Sequence, residues 1–386
     1  MNNISLTITK LIPGGQGLAT LPDGRKIFLW NVLDGEIVTS FDLTKKKSKY
    51  LEGIATSFSH TSPHRTAPRD DFYLSNSPWQ IFSYPYELQQ KSLLIQESFA
   101  QEGITISAPE IKTDHREYFY RNKMEYSLYW DNNTEKISLA VHARGSHRKL
   151  PIYNSSLERP EIFTAAQNIV SELNKRHEEA RKYQSLLLRC SADGTVSGGL
   201  YANGEPHPIF PPLSDTILGK SYTYSPNGFF QINLPVYELA LQDIAKNITT
   251  NKILDLYSGV GTIGLSVQGN RELTLVESNK DAFRELEKNA ADHGQAILSK
   301  SEDVLSYIAP DQSVILDPPR AGCDKKLLTR LLEVQPPAII YLSCNPSTQA
   351  RDVKILSEKY QISSVTAYNF FPKTPHIENL VILTKK

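Results

Sequence analysis

The segment Lys252-Ile253-Leu254-Asp255-Leu256-Tyr257-Ser258-Gly259-Val260-Gly261-Thr262-Ile263-Gly264 constrains this chain more than any other. A short apolar run enters a G-x-G-x-x-G turn. Such a run, bounded by glycine, reads as a strand buried on both faces. The glycines permit a tight turn and let a ligand approach the backbone closely. The pattern then repeats. Leu273–Val276 reads as a strand, and Asn279 as the cap of a helix running through Asn289, with Gly294 as its stop. Val314–Leu316 is a strand, and Asp324 caps a helix from Lys325 to Val334. Ile339–Leu342 is a strand, and Ser347 is expected to cap the helix after it. Alternating apolar strands and helices predict a parallel sheet covered on both faces. Ligands of such sheets bind beyond the carboxyl ends of the strands.

The rest of the chain follows other patterns. Residues 1–58 read as short strands separated by Pro13-Gly14-Gly15, Pro22-Asp23-Gly24 and Asp34-Gly35, which predicts a small barrel. An irregular loop follows to about residue 85, then a helix near 86–102 stopped by Gly103. Antiparallel strands are expected from Glu117 to Ala143 around Asp131-Asn132-Asn133. Pro160 opens an amphipathic helix, and a further β section covers about 184–225. Three domains are expected, 1–58, 59–225 and 226–386, as suits 386 residues.

Charge and cysteine content exclude several classes. The 42 basic and 42 acidic residues cancel, so any nucleic-acid site must be a local patch. Candidates are Lys45-Lys46-Lys47-Ser48-Lys49 and the group Arg116, Arg121, Lys123, Arg144, Arg148 and Lys149. Cys190, Cys323 and Cys344 lie too far apart for a disulfide framework or a metal site, and no metal is expected. No apolar run nears the ~20 residues of a membrane helix. Met1–Ser5 lacks the features of a secretory leader, so a cytoplasmic protein with no membrane partner is expected.

The chemical candidates all stand at strand ends. Glu277 closes the second strand, where a carboxylate suits a ribose diol. With the glycine turn alone, it fits a dinucleotide dehydrogenase as well as a methyltransferase. Asp317-Pro318-Pro319-Arg320 and Ser343-Cys344-Asn345-Pro346 end the next two strands. Their prolines fix backbone direction. Rigid turns of this kind suit an enzyme that grips a flipped base beside a cofactor. Cys344, in a proline-bounded turn, is the candidate nucleophile, and Glu378, just before the last strand, the candidate proton acceptor. A thiolate and a carboxylate on opposite sides of a uracil would activate carbon 5 and then release it. Cys190 and Cys323 read as buried thiols, and His376 as a packing or orienting residue.

Five pieces in order carry a resemblance that spans nearly the whole chain. They are Phe229-Phe230-Gln231-Ile232-Asn233, the turn from Asp255 to Gly261, Asp317-Pro318-Pro319-Arg320-Ala321-Gly322, Ser343-Cys344-Asn345-Pro346, and His376-Ile377-Glu378. With them the chain resembles the RNA 5-methyluridine (uracil-5-) methyltransferase family. The resemblance implies an α/β protein: a Rossmann-like class I methyltransferase domain, an N-terminal OB-like β-barrel of TRAM type and a central α+β RNA-binding domain. It implies Cys344 as nucleophile and Glu378 as proton acceptor, with S-adenosyl-L-methionine contacts from Gln231, Tyr257, Gly259, Glu277 and Asp317. Gln231 and Asp317 are also expected to hold the flipped uracil.

Two departures stand out. Many members bind a [4Fe–4S] cluster through four cysteines just after the TRAM domain, whereas residues 69–90 contain none here, so no iron–sulfur cluster is expected. The stretch from Ala192 to Tyr222 is short for the central domain. The TRAM-like pieces Gly14-Gly15-Gln16-Gly17 and Asp34-Gly35-Glu36 favour rRNA, specifically 23S rRNA, over tRNA. The alternatives are the same chemistry on tRNA, or a non-catalytic RNA-binding or assembly factor. A monomer is expected.

Overall fold

The computed structural model describes residues 5–202, 205–207 and 210–386. Met1–Ile4, part of the stretch read for a leader, and residues 203–204 and 208–209 of the expected β section lie outside the described residues.

The switch-point sheet has eight strands. Its order is Gln295–Leu298, Glu272–Glu277, Lys252–Leu256, Ser313–Leu316, Ala338–Ser343, Glu378–Lys385, Tyr360–Tyr368 and Ile111–Lys112. The first five strands run parallel, and Glu378–Lys385 is antiparallel to both its neighbours. Lys252–Leu256 sits in the middle, with the next strands in sequence to one side and Ser313–Leu316 on the other. The order therefore reverses beside Leu256, and the crevice opens there. Both faces are apolar and covered. Leu254, Leu256, Val314 and Tyr341 face one core, and Ile253, Ile315, Ile340 and Leu342 face the other.

Residues from the stretch assigned to the centre complete the first of these cores. The helix Tyr84–Gln101 packs Leu94, Ile95 and Phe99 against it, and Trp79, Ile81 and Phe82 join them. The edge strand Ile111–Lys112 pairs with Ala367 and Tyr368. This part of the chain is thus built onto the C-terminal sheet.

The N-terminal sheet has six strands in the order Leu6–Thr7, Ile37–Lys46, Tyr50–His60, Lys26–Trp30, Gly17–Thr20 and Lys10–Leu11. One continuous segment, Leu6–Leu11, supplies both end strands. It pairs with Val38 at one end and with Leu18 at the other. The sheet curls around Leu6, Ile8, Ala19, Ile27, Leu29 and Val38 rather than forming a continuous closed ladder among the described residues. Its long hairpin continues past residue 58 to His60.

The middle sheet, also six-stranded, runs Lys149–Pro151, Lys136–His142, Lys123–Asp131, Ser185–Cys190, Val196–Ala202, Glu205–His207. The helix Pro160–Lys175 covers one face with Ile162, Ala166 and Val170. No helix among the described residues is long and apolar enough to cross a membrane.

Candidate active site

The glycine turn is tied down from both sides. Ser258 Oγ donates to the Asp255 carbonyl (2.7 Å) and accepts the Val276 N–H (3.0 Å), fastening the first strand end to the second. Asp255 is fully buried, and its Oδ2 accepts the Gly264 N–H at 2.9 Å. Gly261 has φ +89°, and a Cβ there would stand 2.6 Å from Leu286 Cδ1. No side chain fits that position. Glu277 accepts the Gly259 N–H at 2.9 Å and the Asn279 N–H at 2.5 Å, which aims its carboxylate back over the turn. Tyr257 holds φ 64°, a conformation a bulky residue seldom adopts, at the strand end.

The Cys344 turn is built against the Asp317 turn. Asn345 Nδ2 and Thr348 Oγ1 both donate to the Arg320 carbonyl, at 2.9 and 3.0 Å. Asn345 Oδ1 also accepts the Ser347 N–H, so Asn345, not Ser347, caps the helix Pro346–Leu356. Asp352 Oδ2 accepts the Cys323 N–H and the Tyr341 hydroxyl, both at 2.8 Å, fixing the far end of the same loop. Ser343 pairs with Asn379 across the antiparallel strands. Cys344 is one residue beyond the end of its strand and Glu378 is the first residue of the neighbour, so both face the same edge of the sheet.

One cavity of about 1720 Å³ brings these groups together. Gln231, Tyr257, Gly259, Glu277, Asp317, Cys344 and Glu378 all line it. His376, Arg320 and Arg121 also face it. Cys190 is buried away from the cavity, whereas Cys323, also buried, contributes to its lining beside the Asp317 turn.

Electrostatics sharpen the picture. Burial, reinforced by the charge of Asp317, holds the Glu378 carboxyl well above the ordinary carboxylate range. Burial alone moves Asp317 up to about 7. Burial, then the nearby Glu378 carboxylate, pushes the Cys344 thiol up to about 11, while Arg320 opposes them. His376 Nδ1 accepts from Arg320 Nη2 at 2.9 Å, and desolvation followed by that guanidinium pushes the imidazole down to about 4. The imidazole is therefore neutral and accepts from Arg320, as an orienting residue should. Arg320 is the cation that faces the thiol, a role its place in the Asp317 turn did not disclose.

Asp255 Oδ1 is buried with no partner, and burial moves its carboxyl up to about 8. The space over Gly259 is open, since a Cβ there would meet nothing within 4 Å. The Glu277 carboxylate beside this open face repels a pyrophosphate and offers acceptors to hydroxyl or ammonium groups. S-adenosylmethionine has a ribose diol and an ammonium but no phosphate, so these residues fit it.

Residues 299–386 match the model of the family described as tRNA (uracil-5-)-methyltransferase. An RNA methyltransferase of Prochlorococcus marinus is 29% identical, over 84% of this chain and 92% of its own length. One from Bacillus anthracis is 26% identical, over 99% and 96%. Among solved structures, the Pyrococcus abyssi tRNA (uracil-54, C5)-methyltransferase, in complex with S-adenosyl-L-homocysteine, superposes with a TM-score of 0.78. The overlay covers 99% of this chain and 100% of that one at 21% identity. The C-terminal part of this chain thus matches the uracil-5 methyltransferase family, and nearly its whole length is similar to RNA methyltransferases. These matches identify it as an RNA methyltransferase. One further cavity residue, Phe371, was not marked in the sequence. Phe371 stands with its ring centroid 5.5 Å from that of His376. Phe229 is 70% exposed beside Gln231. Phe229 belongs to the first motif piece, and the fold adds that its ring is exposed to the cavity.

Proposed function

We propose that this enzyme makes 5-methyluridine through a transient bond between Cys344 Sγ and carbon 6 of a flipped uracil. The observation that carries the reading is the convergence of Cys344 and Glu378, from adjacent antiparallel strands, on the cavity that also holds the glycine turn. Gln231 and Asp317 hold the uracil edge, and Tyr257, Gly259 and Glu277 hold the donor. The Cys344 thiol gives its proton to solvent, the Arg320 guanidinium stabilises the thiolate, and the thiolate adds to carbon 6. The electron pair of the 5,6 double bond moves toward the carbon 4 carbonyl as an enolate. Bound S-adenosylmethionine supplies an electrophilic methyl group, which carbon 5 takes. Glu378 then removes the carbon 5 proton, the 5,6 double bond re-forms, and the thiolate leaves. A carboxylate with a raised pKa is the stronger base for that last proton.

We divide the labour among the three expected units, with the exposed Lys45, Lys46, Lys47 and Lys49 of the N-terminal hairpin as the phosphate-gripping arm. The rRNA reading rested on the N-terminal sheet. A tRNA enzyme of the same full-length fold has an equivalent for it, so that sheet does not choose the RNA. We take 23S rRNA as the first substrate to test and tRNA as the second. Methyl-labelled S-adenosylmethionine, incubated with each unmodified RNA and followed by nucleoside analysis, decides. Label in 5-methyluridine supports the chemistry and names the RNA. Label in another nucleoside overturns the mechanism, and no label in either RNA favours the non-catalytic reading.

A further inference from the structure

The strip Asn227–Ile232 carries Phe229 and Gln231 into the cavity, yet it is irregular and has no ladder of its own. Five of its six carbonyls nonetheless accept hydrogen bonds from donors in or next to the middle sheet. Lys123 Nζ donates to Asn227 O and Gly228 O, at 3.0 and 3.1 Å. Arg189 Nη2 donates to Phe230 O at 3.0 Å. Asn122 donates from Nδ2 to Gln231 O (3.0 Å) and from its backbone N–H to Ile232 O (3.2 Å). Lys123 and Arg189 are paired neighbours on adjacent strands, so two cations stand side by side against one strip of carbonyl dipoles.

Arg189 is 1% exposed. Among the described residues its Nε and Nη1 have no hydrogen-bond partner. Its guanidinium lies over the rings of Tyr224 and Phe230, at 5.3 and 5.9 Å, and those rings stack on each other at 3.9 Å. A buried cation is costly unless dipoles or π-faces solvate it. The strip supplies both, so it is held in a geometry that leaves Phe229 free and Gln231 pointing inward. A lone cation would serve packing less well than a leucine. Two beside one catalytic strip suit alignment.

Resting on the proposed function, we infer that Lys123 and Arg189 are positioning residues that set the Phe229–Gln231 strip against the target base. The middle sheet thereby governs the chemistry as well as any grip on RNA. RNA carrying 5-fluorouridine provides the test, because fluorine cannot leave as a proton does and the Cys344 adduct persists through denaturation. Lys123→Met and Lys123→Arg are prepared in the full chain. For each, RNA affinity with its salt dependence, the thermal midpoint, and the single-turnover rate of adduct formation at saturating RNA are measured. Lys123→Met should slow adduct formation tenfold or more with RNA affinity within twofold of wild type, and Lys123→Arg should recover most of the rate.

A normal adduct rate with weakened, less salt-dependent binding makes Lys123 a phosphate contact and overturns the inference. A lowered thermal midpoint with no recovery by arginine makes it scaffold and overturns it equally. No adduct with the wild-type protein sinks the covalent reading itself, and this inference with it.

Discussion

At the scale of single residues, the site is governed by desolvated carboxyls around one thiol. In the proposed mechanism the thiolate is the nucleophile, and Cys344 is pushed up to about 11, so its deprotonated fraction grows about tenfold per pH unit below that value. Glu378, raised well above its ordinary range, also reaches its basic form as pH rises. The rate of adduct formation on 5-fluorouridine RNA should therefore climb steadily from pH 7 to 9. A flat profile would point to a different nucleophile. Glu378→Gln should still form the bond to carbon 6 and transfer the methyl group, but retain the carbon 5 proton. Turnover should fall on the order of 10²–10⁴-fold, with methylated RNA left attached to protein on a denaturing gel.

Asp317 gives a stability test at the same scale. Its folded value of about 7 lies above its ordinary 3.8. Between those values the folded chain keeps a proton that the unfolded chain has lost, so stability declines as pH rises through this window. At pH 8 the charged carboxylate is a burden to the fold. Asp317→Asn should raise the thermal midpoint at pH 8, by roughly 1–2 kcal/mol of stability, and not at pH 4, while abolishing methylation. A midpoint unchanged at pH 8 would mean the carboxylate is better solvated than its surroundings imply.

Among elements, the glycine turn is the least forgiving. Gly261→Ala must place a methyl group 2.6 Å from Leu286 Cδ1 at φ +89°. A loss of roughly 1–3 kcal/mol is expected, with weaker donor binding, measured by thermal unfolding and donor titration. Much of this level was legible in the sequence. Lys252–Leu256, the helix Lys325–Val334 with its Asp324 cap, and the helix opened by Pro160 all stand where the apolar period and the caps put them. Strong local signals fixed these.

Weak or displaced signals did not. The helix after Asn279 ends at Ala290, with Ala291 at φ 39°, before Gly294 is reached. Gly294 is small for another reason, since a Cβ there would stand 3.0 Å from Leu275 Cδ1. The strand Tyr360–Tyr368 was missed because Ser363, Ser364 and Thr366 dilute its apolar pattern, and partners on both sides make it a strand. Cys344 and Glu378 were legible as candidates from their turns. The cavity cation Arg320 and the strip-holding Lys123 and Arg189 were not, because hydrogen bonds between distant segments define them.

The whole molecule is held by a buried ionic knot between the helix Tyr84–Gln101 and the loop leading to Glu378. Glu87, fully buried, lies 2.9 Å from Lys91 Nζ and accepts the Lys373 N–H at 3.0 Å. Lys91 donates to Asn369 and to the Phe371 carbonyl, and Lys373 to the Phe82 carbonyl. Lys373 itself takes φ 61°, a bend these bonds enforce. Removing Glu87 leaves the buried Lys91 ammonium without its counter-charge, while Lys373 keeps Glu117 at 2.7 Å. Glu87→Ala should cost about 3–5 kcal/mol in thermal or denaturant unfolding, far more than any exposed ion pair here. A cost under about 1 kcal/mol would show that water replaces the carboxylate.

The strand Glu378–Lys385 slides between two strands that precede it in the chain. A ribosome therefore releases the thiol, the glycine turn and most of the sheet while the slot beside Ala338–Ser343 is still vacant. On the proposed mechanism, Cys344 has no proton acceptor opposite it until that slot fills, so a growing chain completes a methylation cycle only after this gap in the sheet closes.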